Sequence, residues 1–255
     1  MQKFISLVSA LLLFCLSGCV YDRYEKPSYI RVAHAIYYTT AKCNLDLYAG
    51  SLSLLLKADQ WLKAPDDKTR YEIEDAWFSY YKLRNRGDTL VLMSLYNTES
   101  IIIATGGKSI LTPDTKWEIT VNNQTLHYQC TDTDSWILTH TEPSDTGSHE
   151  TRLSIGRETT DSDILSLSMI GTGYGFGEST LRKYEITEKI NVECPDGQIY
   201  PTAIRYIKDG ELCIVFADEP TPDLKKVVLR FSNTGTFTIS FMGETNAGWW
   251  SDYYF

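Results

Sequence analysis

The chain has 255 residues, with 24 Lys and Arg against 33 Asp and Glu, for a formal net charge of −9. That sign opposes phosphate backbones and excludes nucleic acid as an expected partner. At 43% hydrophobic and 13% aromatic residues, the chain can bury a real core and falls outside the disordered class.

Reading from the N-terminus, Lys3 is a short positive region, and residues 4–16 are an apolar run too short to span a bilayer as a helix. The run stops at Leu16-Ser17-Gly18-Cys19. These four residues resemble the lipobox of bacterial lipoproteins. The resemblance implies a diacylglyceryl group on the Cys19 thiol, cleavage before Cys19 and acylation of the new amino group. Each buried acyl CH₂ is worth about 0.8 kcal/mol, so two or three chains anchor a protein firmly. The competing reading is an ordinary secretory leader, cleaved without lipid. Against it stand a cysteine where the apolar run ends and a leucine three residues before. Residues 1–18 are therefore expected to be a signal peptide and residues 19–27 a lipidated tether. The expected location is the outer membrane, with periplasmic and surface faces both open. Loss of Lys3 would take the charge from −9 to −10. No second apolar run is long enough for a membrane helix, so the lipid is the expected membrane attachment.

The rest alternates apolar and polar residues between turn signals, the pattern of antiparallel sheet. The expected fold is all-β, with two antiparallel β-sandwich-like domains. Residues 28–141 would form the N-terminal domain and 151–255 the C-terminal one. Residues 142–150 (EPSDTGSHE), polar and aperiodic, would link them. A single barrel or two-sheet sandwich with this segment as a long loop is the rival. Helix signals are few. Leu52, Leu55, Leu56 and Leu62 fit one side of a helix over residues 51–63, stopped by Pro65, but a strand and loop fit equally well.

Arg86-Gly87-Asp88 is expected to turn residues 80–83 into residues 90–96. In Lys116–Val121, Trp117, Ile119 and Val121 share a face, and Asn122-Asn123 suits a two-residue turn. Pairing outward from it sets Trp117 against Tyr128, Ile119 against Leu126 and Glu118 against His127. Asp196-Gly197 and Asp209-Gly210 would join residues 186–194, 198–207 and 211–217 into a meander. Asn233-Thr234-Gly235 would close a hairpin with Phe231 facing Phe237, Leu229 facing Ile239, Val227 facing Phe241 and Arg230 facing Thr238.

Four cysteines follow Cys19: Cys43, Cys130, Cys194 and Cys213. The expected meander holds Cys194 and Cys213 about 23 Å apart along a shared strand, too far for a disulfide. Cys43 and Cys130 are left open, and no CxxC spacing suggests a metal or redox site.

Motifs for chemistry are scarce. Gly171-Thr-Gly-Tyr-Gly-Phe-Gly177 lacks the helix and spacing of a phosphate loop. It reads instead as a strand stripped on one face, or as a flexible lobe where another backbone can approach, presenting Tyr174 and Phe176. Asp132/Asp134, Asp161/Asp163 and Asp218/Glu219/Asp223 match no calcium-loop pattern and read as solvated turns. Nucleophile and zinc motifs are missing, and the four histidines are scattered. No cofactor or metal is expected. Trp249, Trp250, Tyr253 and Tyr254 form an unusual aromatic tail. It suits core packing, contact with a glycan or protein partner, or the closing strand of an outer-membrane barrel.

The expected function is a lipid-anchored, non-catalytic binding or assembly module of the cell envelope. Its partner would be a glycan or another envelope protein, contacted by Trp249, Trp250, Tyr253, Tyr254, Tyr174 and Phe176. A fimbria-like structural subunit is the first alternative. An exported glycan hydrolase, recognisable by a cleft with converging carboxylates, is the second.

Overall fold

The computed structural model describes residues 29–96, 100–144, 147–158, 164–177, 180–195, 206–216, 226–233 and 236–249. It opens with a long helical rod. Helix α1 (Tyr29–Tyr37) runs through a π-helical turn (Tyr38–Lys42) into α2 (Cys43–Lys63), and the junction residues Tyr37, Lys42 and Cys43 keep right-handed helical angles. At 1.5 Å per residue the rod is about 50 Å long. It ends at Ala64, whose ψ of 130° is the extended conformation favoured before Pro65. A short helix, α3 (Asp67–Trp77), starts where the Asp66 carboxylate accepts a hydrogen bond from the Thr69 amide at 2.8 Å.

Thirteen strands follow: β1 (Tyr81–Asn85), β2 (Thr89–Ser94), β3 (Ser100–Ala104), β4 (Lys116–Val121), β5 (Gln124–Asp132), β6 (Ser135–Ser144), β7 (Gly147–Glu158), β8 (Ile164–Gly177), β9 (Thr180–Pro195), β10 (Tyr206–Val215), β11 (Lys226–Phe231), β12 (Thr236–Phe241) and β13 (Glu244–Trp249). Each pairs antiparallel with the next, in chain order, in one sheet. Local chemistry sets the turns. Asn122 and Asn123 both take positive φ (49° and 65°), as the two-residue hairpin turn requires. The register on either side matches the expectation: Trp117 opposite Tyr128, Glu118 opposite His127, Ile119 opposite Leu126. Phe231 likewise faces Phe237, Leu229 faces Ile239 and Arg230 faces Thr238; this ladder runs on to Val228 opposite Ser240, without a Val227–Phe241 pair.

The sheet wraps the rod. Helix α1 packs on β12 and β13, the π-turn on β8 and β9, and α2 on β4 and β8. Residues Leu45 through Leu56 of α2 are buried without a break. A helix covered on all sides belongs inside a fold, not on it. The Tyr128 hydroxyl on β5 donates to the Tyr48 carbonyl of α2 at 2.7 Å, and Tyr37 of α1 sits 6.2 Å from the Phe231 ring of β11. Strands from both halves of the sheet therefore share one helical core.

Two of the β8 glycines make this possible. A Cβ on Gly175 would lie 1.9 Å from the Thr40 carbonyl of the π-turn, and one on Gly173 would lie 2.1 Å from the Tyr184 ring. The glycine run is thus a bared strand face against another backbone, as the sequence suggested.

Several expectations give way. Residues 142–150 are not a linker: Glu142 pairs with His149 and Ser144 with Gly147 as β6 turns into β7. The strands before and after this hairpin lie in one sheet, and a single cluster from Ala33 to Phe241 forms the core, so two sandwich-like domains are not what the sheet presents. The stretch beginning at residue 29, expected within a β domain, is helix, and of the two readings of residues 51–63 it is the helix that forms, as the C-terminal part of α2. Asp209-Gly210 is a bulge within β10, with Gly210 at φ 99°, instead of a turn. The turn expected at Asp196-Gly197 lies outside the described residues. All four described cysteines are free. Cys194 and Cys213 do not meet, for a different reason than the expected meander supplied: Cys213 pairs with Glu185 on β9 while Cys194 pairs with Leu165 on β8.

Candidate functional site

The sequence-chosen aromatic tail falls mostly outside the described residues. Trp249 ends β13 opposite Thr236, and its side chain, with Trp250, Tyr253 and Tyr254, lies beyond what is described. So does Cys19. Phe176 pairs with Leu181, while Tyr174 is half-buried with its ring 4.9 Å from His149 and its amide donating to the Thr151 hydroxyl at 3.0 Å. Those contacts place Tyr174 in the packing of β7 against β8.

The acid clusters divide similarly. Asp132 accepts from the Thr133 amide at 2.7 Å and Asp134 from Arg157 Nε at 2.7 Å, which are turn and ion-pair roles. Asp161, Asp163, Asp218, Glu219 and Asp223 lie outside the described residues. Among the described residues no group of three His, Cys, Asp or Glu is placed to hold a metal.

What sequence reading missed is a buried polar cluster between α2 and the sheet. His140 on β6 contacts the Thr125 carbonyl through Nδ1 at 2.9 Å and Glu142 Oε1 through Nε2 at 3.0 Å. A carbonyl only accepts, so Nδ1 carries hydrogen. Tyr48 stands 6.4 Å from the His140 ring. Burial pushes the Tyr48 hydroxyl up to about 12, and burial also holds Tyr184 and Tyr128 well above the ordinary phenol value. All three remain neutral at any physiological pH. The hydroxyls of Tyr48 and Tyr184 are buried and make no hydrogen bond of good geometry. This cluster is sealed beneath the sheet and holds the rod against it.

An accessible site lies at the opposite end of the strand order. Alternation along β1 sends Lys82 and Arg84 outward, with Tyr80 just before them, while Tyr81 and Leu83 turn toward the core. On β2, Leu90 and Leu92 are buried, leaving Val91 and Met93 outside; on β3, Ile101 and Ile103 are buried and Ile102 is outside. The register aligns the outward residues: Lys82 opposite Met93, Arg84 opposite Val91, Val91 opposite Ile102. Leu95 donates its amide to the Tyr80 carbonyl at 3.0 Å, and the Tyr80 and Tyr96 rings stand 6.0 Å apart. Nine large hydrophobic side chains are exposed among the described residues; five of them gather here, Tyr80 (66%), Tyr96 (79%), Leu95 (57%), Ile102 (42%) and Met93 (37%). Scattered exposed apolar residues need no explanation, whereas a contiguous patch marks contact with something else. The exposed cations Lys82, Arg84 and Arg86 border it and form no ion pair among the described residues.

A shallow groove of about 170 Å³ lies beside the β12–β13 turn, lined by Lys226, Ser240, Met242 and Glu244 among others. It holds one carboxylate, not the pair that glycoside hydrolysis uses. Burial raises the thiols of Cys130 and Cys213 and takes Cys194 to about 12, which leaves them inert.

Neither a family model, nor a curated protein, nor a solved structure matches this chain. No helix among the described residues is long and apolar enough to cross a membrane.

Proposed function

We propose that this chain is a lipid-anchored, non-catalytic binding module of the bacterial outer membrane, carried there by acylation of Cys19. The Leu16-Ser17-Gly18-Cys19 motif supports the anchor. The binding role rests on one observation: five exposed large hydrophobic side chains lie on the outer face of β1–β3 or just beyond the strand ends, beside three cations with no ion pair among the described residues. Burying such a patch from water is favourable by about 25 cal/mol per Å². A partner that covers it gains that energy, while the free molecule leaves it exposed.

The test is a screen of the full chain, in detergent, against an array of glycans and an array of envelope proteins, beside a Tyr80→Ala/Tyr96→Ala variant. Both tyrosines are exposed and outside the core, so the variant keeps the wild-type melting temperature within about 2 °C. The expected result is a partner bound by the parent and lost by the variant. Equal binding by both proteins would remove the patch as the site.

A further inference from the structure

The β1 strand is the first in the sheet order and pairs only with β2 among the described residues. Two backbone hydrogen bonds fix which way its peptide groups point. Arg86 donates its amide to the Thr89 carbonyl, and Leu95 donates to Tyr80. In an antiparallel ladder the mutually bonded pairs alternate, so Tyr80, Lys82, Arg84 and Arg86 turn their peptide groups toward β2. Leu83 and Asn85 therefore turn theirs to the open edge, where they find no strand.

The core also thins out on this side. Tyr81 and Leu83, the core-facing residues of β1, pack against it only partly buried. On the outer face the exposed patch reaches the same edge at Tyr80. Apolar surface is thus uncovered on both faces of the sheet where β1 ends it.

Charge narrows the occupant. Lys82, Arg84 and Arg86 lie along the edge without ion-pair partners among the described residues, in a chain of net charge −9. Pairing of β1 with the β1 of a second copy would set these cations against each other, which is the device sheets use to prevent self-association. An acidic strand meets no such barrier.

We infer that the open edge of β1 accepts an extended acidic segment of a partner protein as an additional antiparallel strand. This rests on the reading of the β1–β3 face as the binding surface and names its ligand class. The peptide groups of Leu83 and Asn85 supply the backbone bonds, the basic residues select acidic side chains, and Tyr80, Leu95 and Met93 receive apolar ones.

The test uses the full chain in detergent and a ten-residue peptide alternating Glu with Val or Tyr. Its controls are the same peptide N-methylated at alternate backbone nitrogens and a Lys-for-Glu version. The acidic peptide is expected to bind and to slow hydrogen exchange at the Leu83 and Asn85 amides. Asn85→Pro removes an edge donor that no native bond uses, so it leaves the fold intact and weakens binding at least tenfold. Lys82→Glu/Arg84→Glu reverses the preference to the Lys peptide. The inference is overturned if the acidic peptide does not bind, if the N-methylated one binds equally, or if Asn85→Pro has no effect. A concentration-dependent oligomer abolished by Asn85→Pro would also overturn it, by making a second copy the occupant. Loss of a screened partner in Tyr80→Ala/Tyr96→Ala with retention in Asn85→Pro would leave the face as the site and remove strand addition alone.

Discussion

At the scale of single residues, His140 and Glu142 are the most consequential pair. Both side chains are nearly fully buried, 3% and 7% exposed, and each supplies the other's polar contact. Removing one member of a buried pair leaves an uncompensated group, at a cost of about 3–5 kcal/mol. His140→Leu is therefore expected to lower the urea-unfolding free energy by that amount, and His140→Leu/Glu142→Leu by clearly less. A double variant no better than the single one would show that the pair is not coupled. Nothing in the sequence flagged this pair. Histidine and glutamate two residues apart look like one face of an exposed strand, and the cover supplied by Tyr48 comes from 92 positions away along the chain. His127 was legible because its partner Glu118 lies across a hairpin whose turn is local, and the two meet at 3.2 Å.

Glu211 and Arg230, opposite each other on β10 and β11, give a pH signature. Burial raises the Glu211 carboxyl, but hydrogen bonds from Arg230 and from the Thr187 hydroxyl (2.9 Å) outweigh it and leave the carboxyl below its ordinary value. A carboxyl depressed on folding contributes stability above its unfolded value, near 4.3, and that contribution vanishes as pH falls through the folded value. The stability difference between the parent and Arg230→Ala should be largest at neutral pH and close on acidification below about 4.3. A gap that widened in acid would contradict the assignment.

At the scale of elements, the joint between β8 and the π-turn carries the packing. Thr40 and Gly175 approach so closely that no side chain fits, and the Asn44 amide bridges to the Tyr174 carbonyl at 2.9 Å. Because the clash is with backbone, Gly175→Ala must shift the rod or the strand, and a loss of about 3 kcal/mol is expected. Gly156→Ala provides the contrast: its Cβ would meet the Ser168 hydroxyl, a rotatable group, at 2.8 Å. Thermal melts should rank Gly175→Ala well below Gly156→Ala, and equal melting would mean that the rod is not seated as described. The glycine spacing was visible in the sequence as a bared face. Which backbone it admits was not, because Thr40 is 135 residues away.

The rod itself explains why helix signals were faint. Amphipathic periodicity arises when one side of a helix faces water. Here Thr40, Lys42, Asp46, Ser51, Ser53 and Asp59 are buried together with the leucines, so no polar stripe separates from an apolar one. Lys42 and Asp46 pair with each other, and Asp59 accepts from the Ser109 hydroxyl at 3.0 Å and from Lys63 at 2.7 Å. Lys42, Asp46 and Asp59 are thus satisfied by neighbours in place of solvent, while the Thr40 and Ser51 hydroxyls are buried without a hydrogen-bond partner among the described residues; all of them read as surface in the sequence.

At the scale of the whole molecule, one sheet in chain order surrounds one helix. The rod touches β4 and β8 through α2 and β12 and β13 through α1, so neither half of the sheet keeps a complete core without it. Unfolding should then be a single cooperative transition, with calorimetric and van't Hoff enthalpies equal. Two separable transitions in a calorimetric scan would restore a division into independent halves. The hairpin at residues 142–150 is the reason a boundary was expected there. Pro143, Gly147 and seven polar neighbours carry every compositional mark of a linker, yet β6 and β7 continue pairing out to Ser144 and Gly147.

The sequence by itself determined what is local: strand alternation, the asparagine turn at 122–123 and hairpin register within a few residues of a turn. Each depends on neighbours within about ten positions, where backbone geometry and side-chain period leave few choices. Only the tertiary structure decided that thirteen strands form one sheet, that residues 29–63 run through its core, and that Tyr80, Leu95, Tyr96, Met93 and Ile102 stay exposed on or beside β1–β3. Those outcomes depend on which surfaces find each other after the chain folds back. Burial rewards any apolar surface alike, whatever its place in the chain.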